Sequence, residues 1–264
     1  MSELRVATWN LFHGRAQPPV RADLLPDYAA ALAATDWDVC GLQECPPWFA
    51  RPLADACGAS LRVTRTSLMR GMLPVVQRCL SAADPERLGV KGAAVNALLV
   101  RPAAGRIADG RAATLRRAPQ RRSVQAIRLE LHGLWLGNVH THNKPEAEAV
   151  RDLERAIERM RRWADGGPFV LLGDLNVQPD SARAVAAATG LEWLAGDRVD
   201  HVLATPGVIL TPGGSRSARR PKTLDGAAAL SDHRLLTANL TLGLRWAGLP
   251  STHGGKPAHA RGRR

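Results

Sequence analysis

The sequence predicts an α/β fold with mixed sheets, on three observations. Short apolar or alternating runs bounded by Gly, Pro, Asn or Asp recur along the chain, as β-strands do. Helical segments separate the early runs, which goes with parallel pairing. The runs 124–131 and 134–140, by contrast, are joined only by His132-Gly133, a turn suited to an antiparallel hairpin.

In order, strands are predicted over 4–8, 39–43, 61–66, 93–101, 124–131, 134–140, 169–173, 199–204 and 235–242, and helices near 23–35, 47–57, 145–165 and 180–189. The third helix has the clearest period. Ala149, Leu153, Ile157, Met160 and Ala164 recur every three or four residues, lining one face. Glu and Arg fill the other positions, and the i,i+4 pair Glu158 and Arg162 reads as a solvated face rather than a binding patch. Pro179, Asp180 and Ser181 open the fourth helix and Gly190 stops it.

No internal linker divides the 264 residues, and 45% hydrophobic with 23% charged residues is the balance of a chain that buries a core and stays soluble. No apolar stretch approaches the ~18 residues of a membrane span, and MSELRVATWN lacks a basic-then-apolar leader, so a cytoplasmic location is expected. A monomer is expected as well. Cys40, Cys45, Cys57 and Cys79 lack ligand spacing and read as small buried apolar residues. The net charge of +12 is uneven: residues 244–264 hold five basic and no acidic residues, and residues 205–223 hold four and none. Both a solvated extension and a polyanion contact account for these segments. The expected organisation is one folded domain over 1–243 and a basic, disordered tail over 244–264, too poor in apolar surface to order itself.

Polar side chains gather at the ends of the apolar runs: ATWN (7–10), VCGLQE (39–44), GNVHTHN (137–143), VLLGDLN (170–176), RVDHVLAT (198–205) and LSDHRLL (230–236). Strand ends are where a rigid sheet holds a side chain at a cleft edge. Singly, each has a bland explanation: Glu44 as a helix-start carboxylate before Pro46, Asp174 and Asn176 as turn formers, His233 as a satisfied half-buried histidine. Together they form a donor set. Hard divalent cations such as Mg2+ take carboxylate oxygens, and phosphate oxygens take neutral or cationic donors beside them.

The strings TWN, LQE, GDLN and SDH, in this order and spacing, resemble the endonuclease/exonuclease/phosphatase superfamily, which includes pancreatic deoxyribonuclease, exonuclease III-type repair nucleases, inositol polyphosphate 5-phosphatases and bacterial sphingomyelinases. The resemblance covers residues 4–242 and implies a two-sheet mixed β-sandwich flanked by helices, the four-layer deoxyribonuclease I-like architecture. It also implies a hydrolase of phosphoester bonds that depends on Mg2+ or Mn2+.

Position by position, Glu44 resembles the principal metal ligand, Asn10 a neighbour helping to hold metal or phosphate, and Asp232 a partner of the metal or its water shell. Asp174 and Asn176 resemble the residues that orient the attacking water and grip the phosphoryl oxygens. His233 resembles the histidine on the scissile phosphate, Asp200 the aspartate paired with it, and His140 the histidine that the deoxyribonuclease and phosphatase branches carry on this strand. VNALLVR and QRRSVQAIRL are softer matches that offer Asn96 and Arg122 as phosphate contacts; Arg122 reads equally well as a basic residue flanking an edge strand.

Departures bear on substrate. Exonuclease III-type enzymes carry tyrosine where His140 stands, and Cys45 follows Glu44 with no counterpart of their nearby lysine, which argues against abasic-site repair. KGAAVNALL holds no acid to pair with His140, so Asn96 is the expected partner. His13, His142 and His201 adjoin motifs without matching key positions. Hydrolysis needs an in-line water and neutralised phosphoryl oxygens, with either Asp174 or a histidine as base. The expected activity is a metal-dependent nuclease or phosphodiesterase, the charge favouring nucleic acid as the phosphoester substrate. The alternatives are a phosphatase or phosphodiesterase of a phosphorylated lipid, inositol or other small molecule, and a non-catalytic binding module on the same fold.

Overall fold

The computed structural model describes residues 3–20, 22–66, 94–130, 133–212 and 216–242. Cys79, the turn residue His132 and the tail from 244 lie outside the described residues. In chain order the elements are β1 (Glu3–Asn10), β2 (Ala16–Gln17), α1 (Leu25–Ala33), β3 (Val39–Cys45), α2 (Pro47–Ala56), β4 (Ser60–Arg65), β5 (Val95–Val100), β6 (Ile107–Arg116), β7 (Arg122–Leu129) and β8 (Trp135–His140). There follow α3 (Glu146–Ala164), β9 (Phe169–Asp174), α4 (Pro179–Ala188), β10 (Glu192–Asp197), β11 (Asp200–Ala204), β12 (Val208–Leu210), β13 (Arg216–Arg219), β14 (Ala229–Leu230) and β15 (Leu235–Leu242).

Two mixed sheets stack. The seven-stranded sheet runs β12-β15-β1-β3-β5-β4, with β13 also on β15, and the six-stranded sheet runs β10-β11-β9-β8-β7-β6. The pairs β1/β3 and β8/β9 are parallel, each bridged by a helix, whereas β7 and β8 form the expected antiparallel hairpin. β14 pairs with β2, beside the site, and Ala229 of β14 also bridges Lys222.

Alternation along each strand divides the chain among layers. On β1, Leu4 and Val6 point into the core between the sheets, while Ala7 and Trp9 point to the helices. Leu98, Val100, Ile127, Leu129, Leu136, Val170, Leu172 and Val202 complete the inter-sheet core. Tyr28, Leu32, Phe49 and Leu53 of α1 and α2 cover the first sheet, and Ala149, Leu153, Ile157 and Met160 of α3 cover the second. The result is the helix, sheet, sheet, helix layering that the sequence predicts. Acids Glu146 and Glu148 open α3 and Arg161 and Arg162 end it, matching the helix dipole. No helix among the described residues is long and apolar enough to cross a membrane.

The same alternation builds the site. Continuing the inward face of β1 from Val6 gives Thr8 and then Asn10; on β8, Leu136 gives Asn138 and His140; on β9, Val170 and Leu172 give Asp174. The interior therefore turns from hydrocarbon to polar along its length, and one end of the sandwich presents carboxylates, amides and imidazoles.

Candidate active site

Asp174 ends β9, directly opposite His140 of β8 and Asp200 of β11 in the strand registers. Gly173 makes this possible. At φ +146° its backbone lies so close to β8 that a Cβ would sit 1.9 Å from the Val139 carbonyl oxygen, so only glycine fits before Asp174. Asp174 Oδ2 accepts the Asn10 side-chain amide at 2.8 Å and faces His140 Nε2 at 3.4 Å and His233 Nε2 at 3.8 Å. Its Oδ1 accepts the Asn176 backbone N–H at 3.1 Å, holding Asn176 at φ +49°, while the Asn176 amide donates to the Thr141 carbonyl at 3.3 Å.

Glu44 reaches the site by a different device. Strict alternation would send it toward the helices with Leu42, but β3 is irregular between Leu42 and Cys45, and Glu44 adopts φ +47°. Such a bulge re-aims a side chain at the cost of strain. Glu44 Oε1 then lies 3.9 Å from His140 Nε2 and Oε2 lies 3.1 Å from His13 Nε2. His13 (φ +56°) and Ser231 (φ +70°) flank the same cleft. Ser231 Oγ donates to the Asn10 carbonyl at 2.6 Å and accepts the His233 N–H at 3.0 Å, fixing the loop that carries Asp232 and His233.

His233 Nδ1 and Asp200 Oδ2 are 2.8 Å apart. Burial works against a charged imidazole here, but the Asp200 hydrogen bond and the charges of Asp200, Asp174 and Asp232 outweigh it and raise the His233 pKa. Burial, then the Asp174 charge, pushes Glu44 up to about 7. His140 is driven the other way, well below the ordinary histidine value, by burial and then by Arg122.

Asn10, Glu44, Arg122, His140, Asp174, Asn176, Asp200, Asp232 and His233 thus converge. Asn96 does not join them by any contact found among the described residues: its amide donates to the Ser123 carbonyl at 3.3 Å and its Oδ1 is buried without a partner. The expected Asn96 to His140 pairing is corrected by Arg122, whose Nη1 lies 3.0 Å from His140 Nδ1. Arg122 enters the strand from its first position with its guanidinium buried, not splayed on an edge.

Three contributors escaped the sequence reading. His13 touches Glu44, although only its place after the Asn10 turn hinted at this. Gln43 and Asn138, inside strings already noted, clamp the two sheets: Gln43 Nε2 donates to Asn138 Oδ1 at 2.8 Å, and Asn138 Nδ2 donates to the Leu42 and Ala97 carbonyls at 3.0 and 2.9 Å. Polar residues at inward positions of apolar strands were their signal.

The donor chemistry fits a hard divalent cation. Glu44 is a half-buried carboxylate beside the Asp174 charge without a full countercharge, and Asp232 Oδ1 is buried with no hydrogen-bond partner. Asn10 contributes less directly, because its Oδ1 already accepts the Phe12 N–H at 2.9 Å. Asp174, Asp200 and His233 also present one ligand atom each within 4.8 Å of one another, a spacing that the Asp200 to His233 hydrogen bond already accounts for.

The endonuclease/exonuclease/phosphatase family profile matches residues 7–233. No curated protein matches the sequence. Among solved structures, an endonuclease/exonuclease/phosphatase family protein from Bacteroides thetaiotaomicron is 18% identical, with a TM-score of 0.63 over 92% of this chain and 96% of that one. The mannosyl-6-phosphatase of the same organism is 18% identical, with a TM-score of 0.62 over 90% of this chain and 100% of that one. The D. rerio TDP2 complexed with a single-strand DNA product is 14% identical, with a TM-score of 0.66 over 91% and 100%. At these identities the likeness is one of fold. The family match rests on the sequence itself, from the strand before Asn10 through His233: the chain belongs to the endonuclease/exonuclease/phosphatase family, whose members are hydrolases acting on phosphoesters.

Proposed function

We propose that the chain is a divalent-metal-dependent phosphodiesterase acting on nucleic acid. The observation that carries this reading is the pair of buried acids around one histidine: Asp200 on His233 Nδ1, and Asp174 beside its Nε2. A cationic His233 neutralises a phosphoryl oxygen, and Asp174 is placed to orient and deprotonate a water. Asn176 offers a further N–H group to the phosphate, and Arg122 stands behind His140, with Nη1 3.0 Å from its Nδ1. Glu44 and Asp232, with the remaining lone pair of Asn10 Oδ1, would hold Mg2+ or Mn2+, which would polarise the phosphoryl group and stabilise the leaving oxygen. Nucleic acid is favoured by Arg216, Arg219, Arg220 and Lys222, a strip along β13 and the turn after it, and Arg220 reaches Gln17 of β2 at 3.3 Å, next to the cleft.

A second reading, a phosphatase of a small phosphoester, is favoured by enclosure, since Arg122, His140, Asp174 and Asp200 are each at most 6% exposed. A substrate panel with Mg2+ or Mn2+ separates the two: single- and double-stranded DNA, RNA, bis-p-nitrophenyl phosphate, and sugar and inositol phosphates. Cleavage of polynucleotides that stops in EDTA supports the first reading. Turnover of monoesters alone supports the second, and no turnover with any substrate would leave a binding module.

A further inference from the structure

Arg122 and His140 meet side chain to side chain. The guanidinium Nη1 lies 3.0 Å from His140 Nδ1, both side chains are buried, and the other arm of the fork, Nη2, donates to Gln120 Oε1 at 2.7 Å. Guanidinium offers N–H groups and no lone pair. A proton on His140 Nδ1 would set two N–H groups head to head at that distance, so Nδ1 is the acceptor and the ring proton sits on Nε2. The opposite side of the ring agrees independently, because Nε2 faces Asp174 Oδ2 at 3.4 Å and Glu44 Oε1 at 3.9 Å, where an N–H is attracted and a lone pair repelled.

We propose that Arg122 is the positioning residue of His140, fixing its imidazole as the Nε2–H tautomer so that it serves the site as a neutral hydrogen-bond donor and not as a proton carrier. The two histidines then divide the labour, His140 as a neutral donor and His233 as the cation. His233 has a carboxylate, Asp200, on Nδ1 and therefore carries its proton there, leaving Nε2 to take up or release one. His140 has a cation at the equivalent nitrogen, and its Nε2–H points into the cleft with nothing to exchange. On the proposed phosphodiesterase reading, that N–H is offered to a phosphoryl oxygen, while proton transfer falls to His233 and Asp174.

The tautomer is read without activity. In full-length protein labelled with 15N-histidine and free of metal, long-range proton–nitrogen correlation should show His140 with a protonated Nε2 and an unprotonated Nδ1, assigned by loss of its signals in His140→Gln. Arg122→Met should weaken this preference and move both His140 ring-nitrogen shifts toward averaged values, because only the Asp174 and Glu44 side of the ring still favours it, while the His233 pattern stays as in the parent, a change that a merely structural arginine would not produce. An Nδ1–H tautomer in the parent protein, or an unaltered Nε2–H tautomer in Arg122→Met, overturns the proposal; the parent spectrum decides this even if the variant unfolds. A kinetic cycle on bis-p-nitrophenyl phosphate supplies the second arm. Arg122→Met and His140→Gln should each lower kcat, and the double variant should be no slower than His140→Gln alone, because the arginine acts through the histidine. Additive losses would make Arg122 a direct substrate contact and overturn the assignment. An inactive parent protein with the expected tautomer would instead defeat only the phosphodiesterase reading.

Discussion

The side-chain amide of Asn10 donates to Asp174 Oδ2 at 2.8 Å, joining the last residue of β1 in one sheet to the last residue of β9 in the other. The same oxygen faces both site histidines. Asp174→Asn removes the charge at that meeting point while keeping the volume. It should lower kcat by a factor on the order of 10² or more with the fold intact. Steady-state kinetics beside a circular dichroism melt checks this, and near-parent turnover would remove Asp174 from the chemistry.

Glu44 links metal binding to pH. Its carboxyl is held up to about 7 in the fold, against about 4.5 in an unfolded chain, so between these values the native state binds the extra proton. Its contribution to metal-free stability is therefore present below about pH 4.5 and is lost as pH rises through about 7. A cation displaces that proton, so Mg2+ should raise the melting temperature more at about pH 8 than at about pH 5. Glu44→Gln should abolish the pH dependence of that increment and most of the activity. An equal increment at both pH values would argue against Glu44 as a ligand.

Asp200→Asn replaces the acceptor on His233 Nδ1 with an amide. The His233 pKa, raised in the parent, should fall toward the ordinary histidine range, and kcat should drop by a factor on the order of 10². Nuclear magnetic resonance titration of the metal-free protein reads the first, and the parent must titrate higher than the variant.

Asn138→Ala strips the clamp between the sheets, removing in a dry interior the N–H groups that the Leu42 and Ala97 carbonyls accept and one of the acceptors of Gln43 Nε2. The expected loss is about 1–3 kcal/mol, read as a lower denaturant midpoint at unchanged slope. An unshifted midpoint would mean that the two sheets hold without it.

Neutralising Arg216, Arg219, Arg220 and Lys222 to Gln should weaken DNA binding and flatten the slope of log K against log salt by as much as about 3 units. Turnover of bis-p-nitrophenyl phosphate should hardly change. Unaltered salt dependence would remove the strip as a nucleic-acid contact and favour the small-molecule reading.

The layering was legible because period-2 alternation in strands such as 4–8 and 235–242 already says which residues face the core, and the same rule carries in the structure to Asn10, His140 and Asp174. β6 and β13 were not legible: IADGRAATLR and RSAR mix Gly, Asp and Arg into exposed positions, and only pairing with β7 and β15 makes them strands. Glu44 could be named from its motif, but its direction depends on a left-handed backbone that no side-chain pattern announces. His13 and Arg122 needed the fold for the same reason, since their partners lie far along the chain.

Chain order gives β15 a temporal meaning. The six-stranded sheet is drawn from one continuous stretch between β5 and β12, while the strand beside β1 is supplied by the segment that follows Asp232 and His233. A growing polypeptide can therefore complete α3, β9 and β11 and still lack its histidine, until the late strand threads home against the earliest one. Closing the sheet on β1 and bringing His233 to Asp200 both depend on that one late segment.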